Sequence, residues 1–216
     1  MVKLKRGAIF DMDGTLFDTE KLYRQAWIET ADTFGVERKP EIAAMMSGGT
    51  LENFLYVLSK YFPTLDGREY VKRVFQRVKN DIEKNLEMKP CVVEILTYCR
   101  EKNISTAIAS SSSTDDIFKN IQRAGIEKFF DVIVGGDQVT KGKPAPDIFL
   151  LAAKKINLPS NDCYAFEDSL NGIRAAATAN CAAIMVIDQI QPTPDVRELC
   201  AGVFNSLNEA LEWIKI

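Results

Sequence analysis

Four clusters of side chains in this sequence are of types that could do chemistry together. Asp11 and Asp13 follow the apolar run Ala8-Ile9-Phe10 and are backed by Gly14-Thr15. Ser110 to Ser113 form an unbroken serine run closed by Thr114, Lys143 stands in Lys141-Gly142-Lys143-Pro144, and Glu167-Asp168 precedes Ser169 and Gly172. Acids crowded into one pocket repel, by roughly 4 kcal/mol for two unit charges about 4 Å apart at an effective dielectric of 20. A bound cation resolves that conflict. Hydroxyls and a lysine are what a phosphate needs, and backbone N–H groups at a helix start attract anions. If the four clusters meet, an acidic metal cluster faces an anion cradle, which is a phosphoryl-transfer site. Each cluster also has an ordinary reading. Asp and Gly are common turn residues, serines before a helix are often N-caps, a loop lysine is usually solvated, and acids at a helix start favour its dipole.

The chain contains no histidine. Ser-His-Asp and Cys-His catalysis are therefore excluded, as are histidine-ligated metals. Acid/base chemistry must come from carboxylates, lysines, tyrosines or thiols, and a metal must be held mainly by oxygen, which points to magnesium.

Whether the clusters meet depends on the elements that carry them. A first strand is expected over about Lys3 to Phe10. Residues two apart on a strand share a face, so it can aim Asp11 and Asp13 into one pocket, with Gly14 permitting a sharp turn. Helical periodicity then runs from roughly Glu20 to Phe34, with Gly35 as its stop, over Glu41 to Met46, Leu51 to Tyr61 and Gly67 to Leu86. Ser47-Gly48-Gly49 and Pro63 mark breaks. The last of these helices carries Tyr70, Val71, Val74, Phe75, Val78 and Ile82 on one side. From Lys89-Pro90 onward helices and strands alternate, with strands over 104–109, 131–134, 163–166 and 182–187, helices over 92–101, 115–124, 146–156 and 170–179, and a closing helix over 207–214. This alternation implies a parallel sheet with helices on both faces. The expected fold is α/β, a Rossmann-like parallel sheet core (1–18 and 89–216) with a helical cap (19–88) inserted after the first strand. Ligands of such sheets sit at the carboxyl ends of the strands, and each of the four clusters follows a strand.

With 216 residues, 46% hydrophobic and 26% charged, the composition is that of an ordinary globular protein. A formal net charge of -3 offers no basic field for nucleic acid or anionic lipid, which favours a small-molecule substrate. No segment reaches the roughly 20 apolar residues that span a bilayer, and the first residues lead into a strand and not a signal-peptide core. A cytoplasmic protein is expected, monomeric by default. The five scattered cysteines, Cys91, Cys99, Cys163, Cys181 and Cys200, read as buried reduced thiols.

In Asp11-Met12-Asp13-Gly14-Thr15, Ser110, Lys143 and Glu167-Asp168, taken in that order, the sequence resembles the haloacid dehalogenase-like superfamily over essentially its whole length. The helical insertion and Lys143-Pro144-Ala145-Pro146-Asp147 look like its β-phosphoglucomutase-like branch, which includes many sugar-phosphate phosphatases. The resemblance implies that Asp11 attacks phosphorus to give an aspartyl-phosphate. Asp13 would protonate the leaving oxygen and then deprotonate water, for which its pKa must rise. Magnesium would be held by the side chains of Asp11, Glu167 and Asp168 and by the backbone carbonyl of Asp13. Ser110, Ser111 and Lys143 would bind the phosphoryl oxygens.

The cap would exclude water and select the leaving group, turning on hinges near Phe17 to Glu20 and Met88 to Pro90, and Lys79 resembles a cap lysine of that branch. The branch's mutases carry a cap arginine and a hinge histidine. Here Leu51 and Tyr23 stand in the corresponding places, which favours a phosphatase over a hexose-phosphate mutase. A dehalogenase is disfavoured by Asp13, and a phosphonatase by the absence of lysine from Ala43 to Asn53. A binding module without turnover is the reading from another class, and the intact four-motif set disfavours it.

Overall fold

The computed structural model describes residues 4–46 and 49–215. Lys3 of the expected first strand and Ser47-Gly48 of the expected break lie outside them. The chain forms two compact units, Met1–Phe17 with Met88–Ile216, and Asp18–Glu87.

Six strands among the described residues build the larger unit: β1 (Gly7–Phe10), β2 (Ser105–Ser110), β3 (Val132–Gly135), β4 (Cys163–Glu167), β5 (Ala182–Val186) and β6 (Gly202–Phe204), in the order β3-β2-β1-β4-β5-β6. Every neighbouring pair is parallel. β1 is central because its four residues are buried on both faces and too apolar for an edge. It is shorter than the pattern suggested, since Lys5 and Arg6 ahead of it turn their charges outward, to the Asn161 carbonyl and to the Asp162 carboxylate.

The side chains of Ile9, Ala107, Ala109 and Ala165 lie in one core cluster with Phe149 and Ala152 of α7 (Asp147–Lys155) and Ile173 and Ala176 of α8 (Leu170–Thr178). On the opposite face Phe10 stacks on its register partner Phe166 at 4.6 Å between centroids. Tyr164 meets Trp213 of α10 (Leu207–Ile214) edge-on. α5 (Val92–Glu101) and α6 (Thr114–Arg123) connect the return of the chain to β2 and β3. β6 and α9 (Pro194–Arg197) were not expected from the sequence; three and four residues are too short to show a period.

The smaller unit is α1 (Glu20–Thr33), α2 (Pro40–Met46), α3 (Leu51–Tyr61) and α4 (Gly67–Lys84) around a core of Trp27, Phe54, Leu58, Tyr70 and Val74. Thr50 caps α3 and Asp66 caps α4, each through its side-chain oxygen. Gly35 follows α1 at φ 65°, where a side chain would be strained. Phe75, expected on the buried side of α4, is 44% exposed. A groove of about 600 Å³ lies between α3 and α4, with Phe54, Val71 and Phe75 among its walls and Arg68, Lys72 and Lys79 at its rim.

No helix among the described residues is long and apolar enough to cross a membrane. All five cysteines are free, and burial pushes the thiols of Cys99 and Cys181 up to about 12, so they pack as small apolar groups.

Candidate active site

The carboxyl ends of β1, β2 and β4 and the loop after β3 converge, because parallel neighbours in register end at one edge of the sheet. Phe10 pairs with Ile108 and Phe166, and Ser110 with Gly135. Asp11 follows β1 directly, and its amide donates to the Phe166 carbonyl at 2.9 Å, holding it level with β4. Beyond it the chain reverses at once: Leu16 and Phe17 donate to the Met12 carbonyl, and Gly14 donates to Phe17. Gly14 sits at φ 83°, and a Cβ there would overlap the Asp168 carboxylate. The glycine is thus needed twice, for the turn and for the space that Asp168 fills.

Lys143 is the hub. Its ammonium donates to Asp11 Oδ1 at 2.5 Å, to Glu167 Oε1 at 2.6 Å and to the Ala109 carbonyl at 3.0 Å, with the Phe149 ring centroid 5.2 Å away. Its side chain is only 7% exposed, so the reading of a plain solvated lysine fails. Burial alone would pull its pKa down, but the charges of Asp11 and Glu167 and their hydrogen bonds push it up, and it is an ammonium at neutral pH. The pKa of Asp11 is raised as well, which for a carboxylate disfavours the charged form. Burial raises its pKa strongly, the Lys143 charge opposes this, and Glu167 and Asp13 add to the rise.

Glu167 spends its second oxygen locally. Oε2 accepts from the amides of Asp168 and Ser169 and from the Ser169 hydroxyl at 2.8 to 3.0 Å, while that hydroxyl accepts from Gly172 N at the start of α8. The segment both caps α8 and carries two acids of the buried cluster. At Gly172 a Cβ would overlap the Glu167 carboxyl group. Gly172→Ala is therefore expected to displace Glu167 and to lower stability by about 1–3 kcal/mol, as overpacking does, measured by urea unfolding.

The serine run divides its labour. Ser110, 1% exposed, takes the Ser112 amide on its Oγ, whereas Ser113 is a plain N-cap of α6, accepting from Asp116 N. Ser111 is exposed, and its carbonyl packs against Gly136, where a Cβ would overlap it. Ser112, which sequence reasoning did not single out, donates from Oγ to Asp13 Oδ2 at 3.0 Å. Four consecutive serines carry no signal of which one faces which acid. Lys79 lies in the helical unit on the rim of the α3–α4 groove.

Among the described residues Asp11, Glu167 and Asp168 each offer a carboxylate oxygen, and these oxygens all lie within 4.8 Å of one another. Asp13 lies close enough to raise the Asp11 pKa further, and the Lys143 ammonium contacts two of these carboxylates, Asp11 and Glu167. The donors are all hard oxygens, as magnesium, manganese or calcium require, and Gly14 leaves room for Asp168. This donor set fits a divalent cation.

The family model described as haloacid dehalogenase-like hydrolase matches residues 8–186. The phosphorylated carbohydrates phosphatase of Thermotoga maritima is 36% identical over 172 residues, covering 79% of this chain and 80% of that one. The CbbY protein of Rhodobacter sphaeroides, solved in complex with phosphate, superposes with a TM-score of 0.74 at 25% identity, covering 95% of this chain and 96% of that one. A β-phosphoglucomutase of Clostridium difficile superposes at 0.79 and 23% identity over 98% and 96%, a likeness of fold.

Proposed function

This chain belongs to the haloacid dehalogenase-like hydrolases, and on that premise we propose that it is a magnesium-dependent phosphoric monoester hydrolase of small phosphorylated metabolites, sugar phosphates foremost. The observation that carries the reading is the buried meeting of Asp11, Glu167, Asp168 and Lys143. The similarity to a phosphatase of phosphorylated carbohydrates supports the substrate class.

In this reading Asp11 is the nucleophile. A carboxylate oxygen of Asp11 bonds to phosphorus as the bond from phosphorus to the leaving oxygen breaks, giving an aspartyl-phosphate and splitting one hard displacement into two. Asp13 delivers its proton to the leaving oxygen. It then takes a proton from water, whose oxygen attacks phosphorus and releases inorganic phosphate and free Asp11. Lys143 lies 2.5 Å from Asp11 Oδ1, where it can meet the transferring phosphoryl oxygens together with Ser110 and the backbone at Ser111. Magnesium, held by Asp11, Glu167, Asp168 and the Asp13 carbonyl, would neutralise the charge of the phosphoryl group. The unit Asp18–Glu87 would serve as the cap that excludes water, with Lys79 reading the leaving group.

Phosphate release from a panel of sugar phosphates tests this. Release in magnesium, abolished by EDTA and restored by added magnesium, is expected. No release from any member of the panel would sink the reading. A hexose-phosphate mutase is the alternative on fold, and it would convert β-glucose 1-phosphate with a bisphosphate primer to glucose 6-phosphate without releasing phosphate.

A further inference from the structure

Asp13 must present one chosen oxygen to the leaving group, yet a carboxylate at the end of a short side chain can rotate and offer either. We propose that Ser112 is the positioning residue that fixes Asp13, an assignment resting on the phosphatase reading above. Its Oγ donates to Asp13 Oδ2 at 3.0 Å. A hydroxyl held to Oδ2 restricts rotation of the carboxyl group and so fixes the direction in which Asp13 faces the leaving oxygen. A serine hydroxyl both donates and accepts, so the contact can serve Asp13 in both half-reactions.

Ser112 can do this because its own backbone is held at both ends. Its amide donates to Ser110 Oγ at 3.1 Å, and its carbonyl accepts from Gly136 N at 2.9 Å. The loops after β2 and β3 meet here only because Gly135 and Gly136 lack side chains: a Cβ at Gly135 would overlap Thr114, and one at Gly136 would overlap the Ser111 carbonyl. Thr114 is tied in turn to Asp137 through its amide and hydroxyl, each at 2.8 Å. Two adjacent loops thereby set one hydroxyl against the acid/base, while the buried Ser110 is left to the phosphoryl group.

A positioning role of this kind has a signature that phosphate binding lacks. Proton delivery matters most for a poor leaving group, and kcat/KM reports the steps through the first phosphoryl transfer. The test measures kcat/KM of the wild type, Ser112→Ala and Ser112→Thr on an alkyl phosphate and on p-nitrophenyl phosphate, in magnesium. Ser112→Ala is expected to lose roughly 10- to 100-fold on the alkyl ester, within the range that mispositioning a general acid costs. On the aryl ester the expected loss is under about threefold, because that leaving group needs little protonation. Ser112→Thr, which keeps the hydroxyl, should recover most of the alkyl activity. Equal losses on both esters, no loss on either, or an alkyl loss that threonine leaves unrepaired would overturn the assignment. A wild-type protein inactive on both esters would instead overturn the phosphatase reading itself.

Discussion

Replacing Asp11 by Asn is expected to cut phosphate release by at least about 10⁴-fold, the scale seen when a covalent nucleophile is removed, while making the protein more stable at neutral pH. The activity loss follows because an amide oxygen does not form the acyl-phosphate, and no histidine exists to recruit another nucleophile. The stability gain follows from the charge environment. Burial raises the Asp11 pKa well above 3.8, with Glu167 and Asp13 adding to the rise against the pull of Lys143. An acid whose pKa is higher in the folded than in the unfolded chain destabilises the fold at every pH above its ordinary value, so neutralising it removes that cost. The ammonium of Lys143 is not orphaned, because Glu167 Oε1 and the Ala109 carbonyl still accept from it. The gain should shrink as pH falls through the raised folded-state pKa and vanish near the ordinary value of 3.8, where the unfolded chain is protonated too. Urea unfolding at pH 7 and pH 4, beside phosphate release, separates the two effects. An inactive but less stable variant would show that Asp11 holds the fold together, and a fully active one would end its role as nucleophile.

That Asp11, Asp13, Lys143, Glu167 and Asp168 gather in one place was legible in the sequence for a physical reason. The acids close on apolar runs and Lys143 lies in the loop after one, and a parallel sheet brings the ends of its strands to one edge. The alternation after Lys89 marked β2 to β5, and the helical periodicity over residues 20–86 marked α1 to α4. Positions set by tertiary contacts were not legible. Phe75 shares the face of Val71 and Val78 by periodicity, yet it stands 44% exposed beside the α3–α4 groove. Neither β6 nor α9 is long enough to display a period. The tie between Ser112 and Asp13 spans 99 residues, and nothing local to a run of identical serines distinguishes its third member. Likewise Gly172 reads as an unremarkable helix residue until the Glu167 carboxyl is found where its Cβ would be.

Lys143 occupies the position of a cation in the acidic cluster, and its removal should separate binding from catalysis. Lys143→Met is expected to lower phosphate release by roughly 10³-fold, because on the proposed mechanism it removes a donor to the transferring oxygens, and removing one such donor costs on that order. The same change should tighten magnesium binding, since the ammonium competes for Asp11 Oδ1 and Glu167 Oε1. Like charges about 4 Å apart repel by roughly 4 kcal/mol at an effective dielectric of 20, so a gain of at least about tenfold in affinity is expected after allowance for relaxation. Without magnesium the variant should lose about 3–5 kcal/mol of stability at pH 7, the usual consequence of leaving buried charges without their partner. Acidification, which protonates the carboxylates, or magnesium, which replaces the missing positive charge, should restore part of that loss. Calorimetric titration with magnesium, followed by urea unfolding with and without it, reads all three effects. Weaker magnesium binding in Lys143→Met would show that the lysine organises the carboxylates for the metal and does not compete with it, and the charge account of this cluster would then have to be reversed.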